Sequence, residues 1–413
     1  MPNQFIFPDW VAPEALRLLI NQLEVSQFFD TSYNKEFSRE FPVGETVRVK
    51  LPQRYLIRDG LGYNPQPINR INTTVTCNQI FGIDFEFDDF EAAVRMERKQ
   101  SEISDQYLKP AMAQIAQEID TRAALFAYQN SNNIVGVLGT DPTTMAPFAG
   151  ARQRLKELGC PPKGEKGMIV PPQVNSSLSA LITPLFNPTS EISTYFKEGS
   201  LGKLWGFDWY ESMSLFRHTA GTWAGAVTVN GAGQSGTTLA INATAGDTFN
   251  IGDVFGLANV NLVNPMTRRA LSNVGKTFVI TAPMTALGAG NAADVLSISP
   301  AIFGPGSQYQ NVDALPINTA ALTLFPGTAT PNGKSGAQGL FLHPEAFALV
   351  GVKLESPKAT EITSQARDKK TGIPIRFVRM WDPIQKKMIN TWDTVIGFGN
   401  LYPDNCGGRI LCA

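Results

Sequence analysis

The chain has 413 residues, of which 43% are hydrophobic and only 17% charged. That length suits two or three domains at roughly 150 residues each, while the charged share is low against the usual quarter. Lys+Arg 35 against Asp+Glu 36 gives a net charge of −1, which is not the basic balance of a dedicated nucleic-acid binder. With 36 Gly and 28 Pro the composition implies many short strands and turns. Its surface is then polar more than ionic, and suits subunit contact because desolvating Ser, Thr, Asn and Gln costs less than desolvating charge.

The first segment, to about residue 40, reads as an arm with a helix. Pro13 and Glu14 open a stretch in which Leu16, Leu18, Leu19, Leu23 and Val25 share one apolar face. Over 45–58 the period changes: Val47, Val49 and Leu51 alternate with Thr46, Arg48 and Lys50, as in a strand with one charged face. A tip rich in Gly and Pro (Gly60, Gly62, Pro65, Pro67) leads to a second extended run over 71–88, where Ile83, Phe85 and Phe87 alternate with Asp84, Glu86 and Asp88. The two runs read as a long hairpin or, equally, as an ordinary sheet edge with solvated charges; a lone two-stranded hairpin is marginal in water, so a hairpin here should lie on something else.

Residues 101–130 carry the clearest helical pattern. Ser101 is placed to cap, Pro110 to kink or restart the first turns, and Leu108, Met112, Ile115, Ile119 and Phe126 form a stripe, with Glu118, Asp120 and Arg122 outward. A short helix over 149–158, a buried strand Met168–Val170 and a helix over 173–185 follow, the order of an α/β layer. A turn and an aromatic strand come next, from Gly199 to Ser212.

From Thr219 to Gly333 only seven residues are charged, namely Asp247, Asp253, Arg268, Arg269, Lys276, Asp294 and Asp313. Short alternating runs (226–229, 277–281, 294–299) between turn residues indicate a small all-β module, inserted between two halves of one α/β region. After Gly336 a strand, 339–342, leads to a helix beginning near Pro344. Two long strands, 373–381 and 387–398, flank an Asp-Pro turn, and a short strand near 409–411 closes the chain.

Templates for chemistry are missing from the sequence. It has no GxSxG, GxxxxGK[ST] or HExxH, and the glycine-rich run 231–236 lacks a following Lys to reach phosphate, so it reads as a turn. Cys77, Cys160, Cys406 and Cys412 form no CxxC, and His218 and His343 are the only histidines; the expectation is free thiols in a reducing cytosol, with no metal, no cofactor and no catalytic residue. Asp84, Glu86, Asp88 and Asp89 read as a solvated acidic strand face, His343 as a helix cap, and Arg367–Lys370 as a charged turn or interaction tip. No signal peptide and no apolar span long enough for a bilayer is evident, so a soluble protein made in a cytoplasm, with no membrane partner, is expected.

The order of arm, long charged hairpin, long helix and interrupted α/β region resembles the Hong Kong 97-type capsid proteins of tailed bacteriophages. Glu91–Asn130 resembles their spine-helix region, Met168–Pro172 their first A-domain strand, Gly202–Ser212 their Gly-x-x-x-Gly-Phe-Asp-x-Tyr-Glu-Ser stretch, and Leu340–Ala348 the strand-helix that follows. Ile373–Arg379 and Asn390–Gly399 resemble the C-terminal strands, and the β-rich insertion is similar in position and composition to that of short-tailed phage coat proteins.

The resemblance implies an α+β fold. Its parts are an N-terminal arm (1–40), an E-loop hairpin (41–95), a peripheral domain with the spine helix (96–140 and 373–396), an axial domain (141–218, 336–372 and 397–413) and the insertion (219–335). It further implies a major capsid protein of the virion, assembled in the host cytoplasm as pentons and hexons of an icosahedral shell. The implied partners are a scaffolding protein during assembly, a portal protein at one vertex, a decoration protein, and enclosed double-stranded DNA bound without sequence specificity. The hairpin is expected to cross an adjacent subunit, with Arg48, Lys50, Arg54 and Arg58 meeting carboxylates there. The family's covalent cross-link needs a Lys on the hairpin and an Asn and a Glu elsewhere; Lys50 is available but the other two have no match, so none is expected. Two alternatives stand beside this reading: an encapsulin-like nanocompartment shell protein, and a β-rich, lectin-like surface-binding protein suggested by 219–335.

Overall fold

The computed structural model describes residues 8–34, 46–50, 53–58, 60–63, 65–68, 72–88, 108–161, 164–182, 202–223, 226–326, 332–355, 362–368, 371–384, 387–402, 404 and 406–413. They form a mixed α+β fold that divides into two compact units. One comprises Met1–Val49, Asn72–Ala123 and Phe347–Asn400, the other Lys50–Ile71, Ala124–Ala346 and Leu401–Ala413.

The first unit is built on one sheet. Its strands run in the order Thr46–Lys50, Asn72–Asp88, Lys387–Asn400, Pro374–Asp382 and Ile362–Arg367, with Phe347–Gly351 also paired to Lys387–Asn400. The acidic strand pairs antiparallel along its length, from Val75 opposite Gly399 to Asp88 opposite Lys387. This is the support that the hairpin needed. Phe81, Ile83 and Phe85 lie on its half-buried face while Asp84 and Glu86 face outward, because side chains alternate across a pleated strand. On the charged face Lys387 Nζ bonds Glu86 at 2.6 Å. Trp392, almost fully enclosed, packs on Phe377 with ring centroids 4.6 Å apart.

The N-terminal helix, Pro8–Ile20, buries Leu16, Leu18 and Leu19, and Leu23 and Val25 continue the apolar face beyond it. The chain then turns, and the backbone N–H groups of Glu24 and Ser26 donate to the two carboxylate oxygens of Asp120 at 2.6 and 2.9 Å. Asp120 is therefore a buried anchor for the arm, where helical periodicity pointed it to solvent. Periodicity cannot register a partner so far away in sequence. Burial raises its carboxyl above the ordinary value, against the lowering effect of those hydrogen bonds.

Three further expectations change. The run after His343 is a strand, Phe347–Gly351, and not a helix: its five residues are all buried, and a short apolar run of this kind pairs as readily as it coils. The hairpin's outgoing strand is Thr46–Lys50, and residues 53–58, which the alternation placed in it, lie outside any strand. Arg367 is no solvated tip. Its guanidinium donates to the carbonyls of Asn34, Gly351 and Gly372 at 3.0–3.1 Å, closing the arm against the sheet edge, while Lys369 and Lys370 lie outside the described residues. So do Ser101 and Asp89; the long helix is described as Lys109–Asn130.

The second unit contains two main sheets. In the first, Asn133–Gly136, Gly407–Leu411, Ser335–Leu342, Lys166–Val170, Phe207–Glu211 and Lys203–Leu204 follow in order, and Arg217–Thr219 also pairs with Ser335–Leu342. Two pairings are parallel, 133–136 with 407–411 and 166–170 with 207–211. The helices Ala146–Glu157 and Pro172–Ile182 supply Phe148, Leu155, Val174 and Leu178 to a core with Met168, Phe207 and Phe341. Gly408 is fixed by this packing, since a Cβ there would meet the Phe341 ring at 2.0 Å.

The second sheet orders Leu322–Leu324, Val254–Val263, Ala270–Ile280, Val295–Ile302, Gly236–Asn242 and Thr228–Val229. It lies within the stretch of low charge and has its own core of Phe249, Phe255, Phe278, Leu296 and Ile298. Gly231, Gly233 and Gly236 take positive φ in the glycine-rich run, a turn between strands. Truncating Trp392→Ala should cost the first unit about 3–5 kcal/mol, the range for a fully buried aromatic. Chemical denaturation followed by near-ultraviolet circular dichroism measures it.

Candidate assembly surface

The described residues between 53 and 68 form the most apolar exposed segment. Tyr55, Ile57, Leu61, Tyr63 and Ile68 are 64%, 94%, 99%, 89% and 69% exposed. Scattered exposed apolar residues are ordinary, whereas five large ones within fourteen positions mark a surface awaiting a partner. The limbs are held locally: Gln66 accepts from the Leu56 N–H at 2.7 Å and donates to the Leu56 carbonyl at 2.5 Å. Gln308 donates to the Pro67 carbonyl at 2.8 Å. The base is thus pinned to the loop at 307–309 while the apolar side chains stay outside.

The four cations expected to act together are differently placed. Arg48 and Lys50 are exposed, on the side of their strand opposite buried Val47 and Val49. Arg54 lies over the Tyr309 ring, 5.9 Å from its centroid, and Arg58 donates to the Gly62 carbonyl within the tip. Those two support the hairpin's own shape. Nothing in sequence periodicity distinguishes them from Arg48 and Lys50.

His218, at the expected insertion boundary, is enclosed at 2% exposure. Its Nε2–H donates to Asp253 Oδ1 at 2.7 Å, and its Nδ1 accepts from the Tyr128 hydroxyl. Asp253 also accepts the N–H groups of Gly221 (3.1 Å) and Asn250 (2.8 Å). Arg409, fully buried, stacks 4.8 Å over Tyr128 and donates to the Gly252 carbonyl at 2.6 Å. Burial lowers the Arg409 guanidinium to about 9, against the nearby Asp253 charge. The arrangement has the order of a relay, but all four side chains are buried. Its work is to join the end of the long helix, the start of the β-rich segment and the C-terminal strand. A second grouping that sequence reading missed brings Cys160, His343 and Cys406 together, with their ligand atoms within 4.8 Å of one another. No spacing rule links positions so far apart.

With that geometry in place, likeness to known proteins supplies the class. Residues 234–411 match the family model described as P22 coat protein, gene protein 5. No curated protein matches the chain. A solved structure from Mycobacterium phage Che8 aligns over 99% of this chain and 95% of its own, at 11% identity and a TM-score of 0.46. The capsid of cyanophage P-SCSP1u aligns over 94% and 86%, at 11% and 0.45. A virus-like particle from Pyrococcus furiosus aligns over 99% and 100%, at 7% and 0.40. The family match spans less than half of the chain and makes that part of it similar to a coat protein. The described residues have the α+β character that the resemblance implied. The encapsulin-like and lectin-like alternatives are not favoured. Among the described residues, no helix is long and apolar enough to cross a membrane.

The buried histidine gives a pH prediction. Burial pulls its imidazole below the ordinary value, and the nearby Arg409 charge adds to this, against the raising effect of Asp253. A folded-state value below the unfolded one of about 6.5 means that the unfolded chain binds the proton first. The contribution to stability is therefore complete above about pH 6.5 and lost as pH falls below it, at no more than about 1.4 kcal/mol per pH unit. Denaturant midpoints measured from pH 7.5 to 5 should fall more steeply for the wild type than for His218→Gln.

Proposed function

We propose that the chain acts through assembly geometry alone, without catalysis, and that the 53–68 tip is the segment laid over a neighbouring copy. The observation that carries this is the set of five exposed apolar side chains on a hairpin whose base is tied down. Burying each one contributes about 1.5–3 kcal/mol, while an exposed ion pair contributes at most about 1 kcal/mol. Apolar burial is then the main force of the contact, and Arg48 and Lys50 set its register and salt dependence. The contact is heterologous, tip to a different surface, so it repeats around five-fold and six-fold centres until the shell closes.

In the same reading 219–335 is the inserted β-rich domain, beside an arm (1–40), a hairpin (41–95), a peripheral domain (96–140, 373–396) and an axial domain (141–218, 336–372, 397–413). The separate core of the low-charge sheet supports the first of these. A scaffolding protein guides assembly, a portal protein takes one vertex, and a decoration protein joins the outer surface. The near-neutral total charge suits a wall around double-stranded DNA better than a tight DNA binder.

The test replaces Ile57, Leu61 and Tyr63 together with Ser. The protein should remain soluble, with an unchanged circular dichroism spectrum, while the particle fraction in sedimentation falls at least about tenfold; particles at wild-type yield would overturn the reading. Replacing Arg48, Lys50, Arg54 and Arg58 together with Ala should reduce yield less, with the loss concentrated at low ionic strength, where charge contacts matter most.

A further inference from the structure

We propose that Cys160, His343 and Cys406 form a binding site for one thiophilic divalent cation of the zinc class. The three residues lie far apart in sequence, yet two thiol sulfurs and an imidazole nitrogen fall within 4.8 Å of one another. Tetrahedral zinc holds sulfur at about 2.3 Å and nitrogen at about 2.0 Å, which places its ligand atoms roughly 3.5–3.8 Å apart. Closing the observed group onto an ion therefore takes movements of about 1 Å or less. Thiolate and imidazole are the donors such ions prefer, and two Cys with one His leave a fourth position open.

The local framework holds the group from three sides. The His343 N–H donates to the Cys406 carbonyl at 2.9 Å, extending the pairing of Ser335–Leu342 with Gly407–Leu411 by one step. Cys160 sits just past the helix Ala146–Glu157, its N–H bonded to the Leu155 carbonyl at 3.0 Å, and its sulfur lies within 4.8 Å of that of Cys406. The His343 Nδ1 accepts the Glu345 N–H at 3.2 Å, so the lone pair of the neutral ring lies on Nδ1, and an ion bound there takes the place of that hydrogen bond. Gly164 leaves room beside the other ring nitrogen, since a Cβ at that position would meet Nε2 at 2.7 Å. The Glu345 carboxylate and the Lys166 ammonium both act electrostatically on the two thiols. Water is suited to the fourth position, and the Lys166 ammonium offsets part of the thiolate charge.

Cys160 is partly exposed, while His343 and Cys406 are enclosed. Binding displaces the two thiol protons to solvent and ties the helix–strand loop to the paired strand ends.

The experiment uses the full-length protein, reduced with a phosphine, stripped with a chelator and titrated with Zn²⁺ alone. One Zn²⁺ per chain is expected, and Co²⁺ in its place should give the thiolate charge-transfer and visible bands of a tetrahedral site. Cys160→Ser and His343→Asn should each weaken Zn²⁺ binding at least about tenfold, whereas Cys77→Ser and Cys412→Ser should not. Cys160, in a half-exposed loop, is the variant least prone to misfold. No uptake, uptake unchanged by Cys160→Ser, octahedral Co²⁺ bands, or a Cys160–Cys406 disulfide found by non-reducing peptide mapping of the protein as isolated would each overturn the proposal.

Discussion

The antiparallel pairing of Asn72–Asp88 with Lys387–Asn400 is the interaction on which the first unit depends. Twelve cross-strand pairs join two segments about 300 residues apart. They give the hairpin's returning limb a ladder, interrupted only between Thr76 and Gln79, that a free hairpin would lack. The central position of Lys387–Asn400 follows from its neighbours, since it pairs with Asn72–Asp88, Pro374–Asp382 and Phe347–Gly351. Small residues allow this crowding. At Gly397 and Gly399 a Cβ would lie 2.2–2.3 Å from Thr76 or Val75 atoms. Charge on the acidic strand is kept to its outer face, where Lys387 meets Glu86, so its cost in desolvation is small.

Polar groups inside the protein follow a different rule from those on its surface. Asp120 spends its carboxylate on two backbone N–H groups of the arm, and Asp253 accepts two more besides His218. A buried carboxylate is tolerable when several donors surround it, and each then fixes a turn that apolar packing alone would leave free. Lys276, almost wholly enclosed, is paired with Asp404 in the same way, and Asn311 donates to that carboxylate at 3.0 Å. The apolar side chains of 53–68 stand out as surface that the isolated chain leaves uncovered.

Much of this fold was legible in the sequence, because period and turn chemistry are local. The alternation at Ile83–Asp88, the stripe from Met112 to Ile119 and the drop in charge after Thr219 each mark an element that the structure contains. What failed was non-local. Asp120 reads as solvent-facing until a turn 94–96 residues upstream claims it, and Phe347–Gly351 reads as helix until its partner strand, about 50 residues on, is known. The candidate surface was half legible. The hairpin and its cations were visible, but the five apolar residues of the tip are scattered among prolines and glycines and form no periodic pattern. The Cys160–His343–Cys406 grouping carries no sequence signal, since it is made by sheet register and by the loop beyond a helix.

Both units depend on strands brought together from distant parts of the chain. In the second unit Gly407–Leu411, buried throughout, pairs on one side with Asn133–Gly136 and on the other with Ser335–Leu342. In the first, Asn72–Asp88 has no central partner until residue 387 is available. Contacts of such separation cost loop-closure entropy before they return any stabilisation, so the fold should form slowly and late. Until those strands dock, the apolar faces of 75–85 and 133–136 are uncovered, alongside the tip that stays exposed in the finished subunit. One apolar segment stays exposed in this chain, while the others are covered within the fold. The ladder that seats Lys387–Asn400 against Asn72–Asp88 is what separates the two sets.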